Sequence, residues 1–412
     1  MKKTILIIGA FDTKGEEYAF VKRLIETYGH KTLTLDTGVY NPNQLIKPDI
    51  SNSEVAEAGG SKIEALQKMD RGPAMKIMSQ GVEKLVRKIY DEGRFDGIIG
   101  MGGTGGTSVI TAGMRTLPIG FPKVMISTTA SGDTRPYVGT KDINMFPSVV
   151  DVAGINRISR QIFTRAVGAI CGMVESEIVK PEEEKPIIAA SMFGNTTPCV
   201  DKCRELLTEK GYEVLVFHAT GTGGMTMESL VDDGLIDAVL DITTTEWADE
   251  LCDGVFSAGK TRLDSPGKKG IPHLIVPGCV DMVNFGPKDT IPDKYTGRLF
   301  YEWNPSVTLM RTTPEENAEM GMIFAEKANA AKGTVTFLIP LKGVSMLDSQ
   351  GQPFWSPEAD SAMFDAIKAH VRKGINVVEL DANINDIIFA DKAVEILLEM
   401  ILKSKNNKNK EI

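Results

Sequence analysis

A glycine-rich segment is the part of the sequence whose residue types most directly predict chemistry. Residues 97–108 read GIIGMGGTGGTS, an apolar run followed by closely spaced glycines and threonines. Glycine lets a ligand approach the backbone, and the start of a following helix presents free N–H groups and a positive dipole end. The segment therefore predicts an anion pocket suited to phosphate. The residues expected to bind phosphate are Gly102, Gly103, Thr104, Gly105, Gly106 and Thr107.

The spacing of these glycines leaves the ligand class open. It matches neither the dinucleotide fingerprint G-x-G-x-x-G with its ribose-binding acid nor a P-loop with its lysine. A tight strand-to-helix turn that binds no ligand is the alternative interpretation. The missing dinucleotide fingerprint argues against a dehydrogenase.

Two further polar loops follow predicted strands in the same half of the chain. In an open parallel sheet, the loops after the strand ends face one crevice, where ligands bind. The first loop offers Asp12, Thr13 and Lys14, and the second offers Thr129, Ser131, Gly132 and Asp133. We expect these loops to complete a nucleotide site, with Asp12 or Asp133 holding Mg²⁺. Each aspartate alone is equally consistent with a helix N-cap.

The second half of the chain carries four candidate catalytic residues: His218, Glu246, Asp281 and Arg311. His218 ends an apolar run before a second glycine-rich turn at 221–224, and a histidine there can act as a general base. The carboxylates and Arg311 also follow apolar runs, where they suit a ligand that bears a carboxylate or phosphate. The alternatives are a hydrogen-bonded histidine at a strand end, N-caps and solvated ion pairs.

Alternating strand and helix patterns must position these residues. Apolar runs such as Thr4–Ile8 and Lys123–Ser127 predict buried parallel strands, and stretches between them, such as Glu16–Tyr28, have helical spacing. The pattern predicts an α/β fold with two doubly wound, Rossmann-like subdomains and mostly parallel sheets. The predicted division is an N-terminal subdomain at 1–179, a linker at 180–186, a C-terminal subdomain at 187–402 and a frayed tail at 403–412.

A repeated pattern favours a duplicated unit. ILIIGAFDT at 5–13 is echoed by IIAASMFGN at 187–195, and the glycine at 29 by the glycine at 211, both at an offset of 182 residues. A fixed spacing of this kind indicates two copies of one βαβ unit.

Composition narrows the class of protein. The 412 residues carry a formal net charge of −9, which argues against a general nucleic-acid binder or a binder of anionic membranes. The first apolar run is too short for a secretory signal, and no run approaches a membrane span. The five cysteines are scattered and odd in number, as expected for reduced thiols in the cytoplasm.

Several long motifs resemble the UPF0261 family, which also includes the N-terminal region of a plant virus-resistance protein. They are GMGGTGGTS together with TTASGDTRPYVGTKDINMFPSVVDVAGIN at 128–156, ASMFGNTTP, VLVFHATGTGG, LDITTTE, PGCVDMVNFG and TLMRTTPEENAE. The resemblance spans essentially the whole chain. It implies two α/β subdomains, ATP bound with Mg²⁺ in the N-terminal one, and a homodimer, but it supplies no reaction.

These observations predict an ATP-binding protein with nucleotide and Mg²⁺ on the N-terminal loops. If the protein is an enzyme, an ATP-dependent ligase, a phosphotransferase or a weak ATPase is expected, acting on a small carboxylate between the two lobes. The alternative is a non-catalytic module in which nucleotide regulates a dimer or a partner-binding surface.

Overall fold

The computed structural model describes residues 2–179 and 183–408. The chain divides into two compact units, Met1–Lys180 and Pro181–Ile412. Residues 180–182 of the predicted linker lie outside the described residues, as do residues 409–412 of the predicted tail. Among the described residues, no helix combines the length and apolar character required to cross a membrane.

The N-terminal unit alternates strands and helices. Its strands are β1 (Thr4–Gly9), β2 (Lys31–Asp36), β3 (Gly97–Gly102), β4 (Lys123–Ser127) and β5 (Asn144–Pro147). Its helices are α1 (Phe11–Thr27), α2 (Asn52–Ala58), α3 (Ile63–Leu66), α4 (Arg71–Asp91), α5 (Thr104–Arg115), α6 (Arg135–Val138) and α7 (Arg157–Glu175).

The strands of this unit form one parallel sheet in the order β2-β1-β3-β4-β5. Apolar side chains of β1 and β3 are buried on both faces because helices α1 and α7 cover one side and α2, α4 and α5 the other. Strands β2 and β3 lie on opposite sides of β1, and the helices that follow β1 and β3 lie on opposite faces of the sheet. A crevice therefore forms at the carboxyl ends of β1 and β3.

The C-terminal unit has nine strands among its described residues. They are β6 (Ile187–Met192), β7 (Glu213–His218), β8 (Ala238–Thr243), β9 (His273–Gly278), β10 (Met282–Phe285), β11 (Phe300–Asn304), β12 (Val307–Arg311), β13 (Val335–Pro340) and β14 (Asn376–Leu380). The helices are α8 (Thr197–Glu209), α9 (Thr222–Asp232), α10 (Glu246–Leu251), α11 (Ser265–Lys269), α12 (Pro314–Ala330), α13 (Pro357–His370) and α14 (Ile387–Lys408).

The main sheet of this unit is also parallel, in the order β14-β13-β9-β8-β6-β7. When these six strands are numbered 1 to 6 along the chain and read from the β7 edge, their order is 2-1-3-4-5-6. The first five therefore have the same order as the strands of the N-terminal sheet. The α/β prediction with two doubly wound subdomains is therefore confirmed, and the shared strand order agrees with the repeated sequence pattern.

The local structure differs from the sequence prediction at three places. Helix α1 spans Phe11–Thr27 but departs from helical geometry at Lys14, so its regular part agrees with the predicted start at Glu16. Helix α5, in contrast, begins at Thr104, inside the glycine-rich segment that was expected to precede it. A small antiparallel sheet, β10-β12-β11, adds strands that the α/β pattern does not predict. Helix α14 continues to Lys408, beyond the predicted domain end at 402, so residues 403–408 are helical rather than frayed.

Candidate functional site

The start of α5 has backbone amides that no side chain of the protein caps. Its N-cap residue is Gly103, which has no side chain to cap the helix. Helices α2 and α7, in contrast, have complete capping boxes from Ser51 and Asn156. The first N–H groups of a helix have no intrahelical partner, so the amides at the start of α5 remain available to a ligand.

A cavity of about 530 Å³ opens directly onto these amides. Gly106 borders open space at this cavity. A Cβ built on Gly106 would have one neighbour within 4 Å, the Met101 carbonyl oxygen at 4.0 Å. Two basic side chains, Arg71 and Lys14, lie on the cavity wall, together with one carboxylate, Asp151. The full lining is Ala10, Thr13, Lys14, Arg71, Met101, Gly102, Gly103, Thr104, Gly105, Gly106 and Asp151.

A second cavity of about 430 Å³ shares part of its wall with the first. The shared residues are Ala10, Thr13, Arg71, Gly105 and Gly106. The remainder of the wall is mostly apolar and comes from the loop after β2, from α3 and α4, and from α5. Its members are Asp12, Thr37, Gly38, Val39, Tyr40, Leu66, Gln67, Met69, Ala74, Met75 and Val109.

Asp12 contributes a carboxylate to the wall of the apolar cavity. Its Oδ2 accepts hydrogen bonds from the amides of Val39 and Tyr40, at 3.2 and 3.1 Å. Its buried Oδ1 has no hydrogen-bond partner among the described residues. Nearby, burial raises the pKa of Asp36 to about 6, although the Phe11 and Gly38 amides bind its Oδ1. Asp36 and Asp12 thus both fix the chain around the cavity.

Hydrogen bonds join α1 to the 148–156 loop beside the glycine turn. The Lys14 ammonium donates to the Val152 carbonyl, and Glu17 accepts from the Gly154 amide at 2.5 Å. These contacts hold the segment that follows Asp151, and Asp151 itself lies on the wall of the glycine cavity.

The structure brings together most of the predicted nucleotide-binding residues and excludes four. Asp12, Thr13, Lys14 and Gly102–Gly106 line the two joined cavities, and Ser131 lines a neighbouring one. Thr107, Thr129, Gly132 and Asp133 line none of these three cavities.

The reason for the exclusions is that their polar groups bind other parts of the protein. Thr107 is buried, and its hydroxyl lies 2.7 Å from Ser127 Oγ, which also lies 2.8 Å from the Thr129 hydroxyl. Asp133 is exposed and forms a two-pronged ion pair with Arg135, with both distances at 2.9 Å. Thr107 and Thr129 therefore brace the glycine turn from behind.

Asp133 and Asp12 do not form a prebuilt metal site. The first is committed to Arg135 and the second to two backbone amides. Among the described residues, no group of three or more histidine, cysteine, aspartate or glutamate side chains is placed to hold a metal ion. Mg²⁺ sites that include a nucleotide commonly use only one or two carboxylates, with phosphates and water as the other ligands.

The second glycine-rich turn is filled by a side chain of the protein. Glu246 Oε1 accepts from the Gly221 and Gly224 amides at 2.9 and 3.0 Å, and its Oε2 accepts from Arg262 Nε at 2.6 Å. A Cβ on Gly224 would lie only 2.1 Å from Oε2. The carboxylate therefore takes the place that an external anion would occupy.

Arg262 is the centre of a buried ionic network. Besides Glu246 it forms a two-pronged pair with Asp241, at 2.6 Å for both bonds. His273 Nε2 lies 3.2 Å from Asp241. Burial opposes ionisation of Asp241, but the charges of Arg262 and His273 outweigh it and hold the pKa of Asp241 below its usual range. The geometry is that of a structural network, because every charged member faces another one.

Asp281 and Arg311 belong to a different buried cluster. Arg311 Nη2 lies 2.9 Å from Asp360 and 3.3 Å from Asp348, and Asp281 accepts from the Ser345 hydroxyl at 2.8 Å. Burial, followed by the charge of Asp348, raises the pKa of Asp281 to about 7 and that of Asp360 to about 9. The Arg311 Nε also donates to the Phe354 carbonyl, which ties down the 341–356 loop.

The four predicted catalytic residues are thus not assembled around one cavity. His218 is exposed at the end of β7, Glu246 binds Arg262, and Asp281 shares the Asp348 cluster with Arg311. None of them lines a cavity described above. Glu246, Asp281 and Arg311 are buried and bind other groups of the protein, so their role in this structure is to stabilise the fold.

The sequence interpretation missed the walls of the apolar cavity and several residues beside the glycine turn. Arg71 is a lone arginine in the sequence, compatible with either a phosphate contact or a surface position, and Thr128, Ser148 and Asp151 carry no signal outside the longer family motif at 128–156. One part of the apolar cavity could have been predicted from the sequence. Thr37-Gly38 follows β2, and the loops after parallel strands lie at the same sheet edge as the glycine turn. The α3 and α4 residues carry no such signal because they lie far from any strand end.

Comparisons with known proteins cover the whole chain. Residues 3–178 match the uncharacterised protein family UPF0261 N-terminal domain, and residues 185–401 match the C-terminal domain of that family. A UPF0261 protein of Clostridium tetani is 49% identical over 98% of this chain and 100% of its own length. The tomato ToMV resistance protein Tm-1(GCR237) is 45% identical over 82% of this chain, a match that spans 46% of the tomato protein.

Solved structures are only distantly similar. A UDP-GlcNAc 2-epimerase from Methanocaldococcus jannaschii, in complex with UDP-GlcNAc and UDP, is 10% identical with a TM-score of 0.22, over 97% of this chain and 93% of that one. That score supports no functional argument. The two domain matches and the identity to full-length relatives carry the assignment: this chain belongs to the UPF0261 family.

Proposed function

We propose that the N-terminal unit binds ATP in its two joined cavities. The observation that carries this proposal is the uncapped start of α5, whose free amides open into a cavity with Arg71 and Lys14 on its wall. Backbone amides, a helix dipole and two cations together favour a polyanion such as a triphosphate.

The apolar cavity suits the adenosine part of the ligand. Its volume of about 430 Å³ lies within the usual size of small-molecule pockets. Val39, Met75 and Val109 provide apolar contact for a base. Arg71 lines both cavities, so it lies where the ribose and the first phosphate would meet.

Mg²⁺ is part of this proposal as a companion of the phosphates. The protein offers no cluster of three acidic or histidine ligands among its described residues, so the ion would enter with ATP rather than occupy a site beforehand. Bound there, Mg²⁺ supplies charge neutralisation for the phosphate oxygens. We also place this activity in the cytoplasm, where the five free, buried cysteines would stay reduced.

ATP affinity of matched glycine variants tests the proposal. Gly106→Leu should project a side chain into the open space beside both cavities and weaken ATP binding at least 10-fold by calorimetry. Gly172→Leu is the control, because Gly172 is also helical and a side chain there would meet nothing within 4 Å of its Cβ position. Equal affinity in wild type and Gly106→Leu, or no binding of ATP by the wild type, would refute the assignment.

A non-catalytic role is the second candidate. Burial and pairing of Glu246, Asp281 and Arg311 favour it, because these residues then serve the fold and not a reaction on a carboxylate. In that case ATP binding should change the molar mass measured by light scattering, with ATP hydrolysis at background. A homodimer whose mass is insensitive to ATP would argue against nucleotide-regulated assembly.

A further inference from the structure

We propose that a third cavity, beside the glycine turn, is the acceptor site of a phosphotransferase and takes a neutral polyhydroxylated small molecule. This inference rests on the proposed binding of ATP. The cavity measures about 370 Å³ and lies after β4 and β5 at the same sheet edge. It is lined by Thr128, Ser131, Ser148, Val149, Val150 and Asp151.

Two observations place this acceptor cavity next to the proposed phosphate cavity. Asp151 lines both of them. In addition, the Thr128 hydroxyl lies 3.8 Å from the Cβ position of Gly103, the N-cap of α5. A molecule in the acceptor cavity would therefore approach the phosphates across Asp151 and Gly103.

The lining selects a neutral ligand with several hydroxyl groups. Thr128 and Ser131 are exposed and offer hydroxyls, Asp151 offers a carboxylate, and Val149 and Val150 offer apolar contact for C–H groups. The wall contains no lysine, arginine or histidine. A carboxylate or phosphate ligand would face Asp151 without a compensating cation, so it is disfavoured.

The Asp151 carboxylate has a free oxygen at a fixed position. Its Oδ1 accepts from the Val152 amide at 2.8 Å, which leaves Oδ2 for a ligand. The segment before Asp151 is anchored at Ser148, whose amide donates to the Ser127 carbonyl at 3.0 Å. Between these anchors Val149 is held at φ +63°, a conformation that a β-branched residue adopts only when its surroundings impose it.

The reaction follows from this arrangement. A substrate hydroxyl oxygen forms a bond to the γ-phosphorus of ATP, the bond from that phosphorus to the β–γ bridging oxygen breaks, and ADP leaves. The hydroxyl proton passes to Asp151 Oδ2, so that the products are a phosphate monoester, ADP and a protonated carboxyl group that releases its proton to water. Positioned proton acceptors of this kind contribute about 10²–10⁴-fold to rate.

The test measures transfer of label from γ-³²P-ATP, with MgCl₂ present, to two matched panels. One panel holds neutral polyols and aldoses of three to six carbons, and the other holds their carboxylate counterparts such as glycerate and gluconate. The variants are Asp151→Asn, which removes the proton acceptor, and Ser131→Phe, which fills the cavity. The controls are the exposed Asp91→Asn and Ser176→Phe, and ATP affinity is measured for every protein.

We expect at least one neutral compound to receive label, with ADP release at least 10-fold above ATP alone. Asp151→Asn should lower transfer at least 100-fold without weakening ATP binding, because it removes a negative charge from the wall of the phosphate cavity. Ser131→Phe, which lies outside both joined cavities, should raise the KM of the acceptor with an ATP affinity within about 2-fold of wild type. Wild type that binds ATP but labels no neutral compound, labels only carboxylates, or retains transfer in Asp151→Asn would overturn this inference. Failure of the wild type to bind ATP would instead overturn the proposed function.

Discussion

The hydroxyl oxygen of Tyr18 lies 2.5 Å from the carbonyl oxygen and 3.0 Å from the amide nitrogen of Met101. The contact joins helix α1 to the end of β3, one residue before the glycine turn begins. A Cβ on Gly9 would lie 1.7 Å from the same hydroxyl, so the close approach requires glycine at that position. One buried phenol thus fixes the positions of two loops at the candidate site.

Removing this hydroxyl should destabilise the N-terminal unit. Tyr18→Phe leaves the Met101 amide buried without its acceptor, which costs about 1–3 kcal/mol of the free energy of unfolding. Urea denaturation measures this loss. Tyr90→Phe is the matched control, because the Tyr90 ring packs against Phe95 and Phe121 and its hydroxyl has no described hydrogen bond. Equal stability of the two variants would show that the Tyr18 hydroxyl does not hold the turn.

Arg71 should determine much of the affinity for the proposed nucleotide. Its guanidinium lines both joined cavities, and hydrogen bonds to a charged group contribute about 1.5–3 kcal/mol. We expect Arg71→Ala to weaken ATP binding at least 10-fold in calorimetry. Arg87→Ala, on the same helix but paired with Asp91 at the surface, should leave the affinity unchanged. Similar losses in both variants would point to the stability of α4 rather than to a ligand contact.

Replacing Glu246 should affect stability and not ATP binding. Glu246→Gln keeps an oxygen for the Gly221 and Gly224 amides but removes the charge opposite Arg262. Arg262 keeps Asp241 as a counter-charge, so the loss should be smaller than the ~3–5 kcal/mol expected for a buried charge left without a partner, but the melting temperature should still fall. The exposed Glu358→Gln serves as the control. Loss of ATP affinity in a folded Glu246→Gln protein would contradict the structural role of this carboxylate.

The stability of the C-terminal unit should fall as pH rises from about 3.8 to about 7. Burial raises the pKa of Asp249 to about 7 from an ordinary value of 3.8, against the hydrogen bonds that it accepts. Between these pH values the folded state binds more protons than the unfolded state, so the free energy of unfolding declines as pH increases. Each unit of pKa displacement corresponds to about 1.4 kcal/mol.

Asp249→Asn isolates that effect. The neutral amide should flatten the decline between pH 4 and pH 7, as measured by urea denaturation at several pH values. The site can accept the amide because Asn284 Oδ1, now without a partner, can accept its N–H after the Asn284 side chain turns. A pH profile identical to that of the wild type would show that Asp249 is already ionised throughout this range.

The elements that sequence predicts best are those with a local signal. The strand over 123–127 was predicted with the bounds that the structure has, because the apolar run Val124, Met125 and Ile126 lies between turns. The start of α5 was missed because its N-cap residue, Gly103, has no capping side chain. The feature that hid the start of α5 from the sequence is the one that leaves its amides available.

The sequence by itself determined the α/β class, the repeated order of elements and the glycine turn, since each depends on residues that are close together in the chain. Only the tertiary structure decided which polar groups remain available. Glu246 lies 22 residues from the Gly224 amide that it binds, and Asp151 lies 48 residues from Gly103. Folding brings such distant residues into contact, so whether an amide meets a carboxylate of the protein or an open cavity is settled by packing.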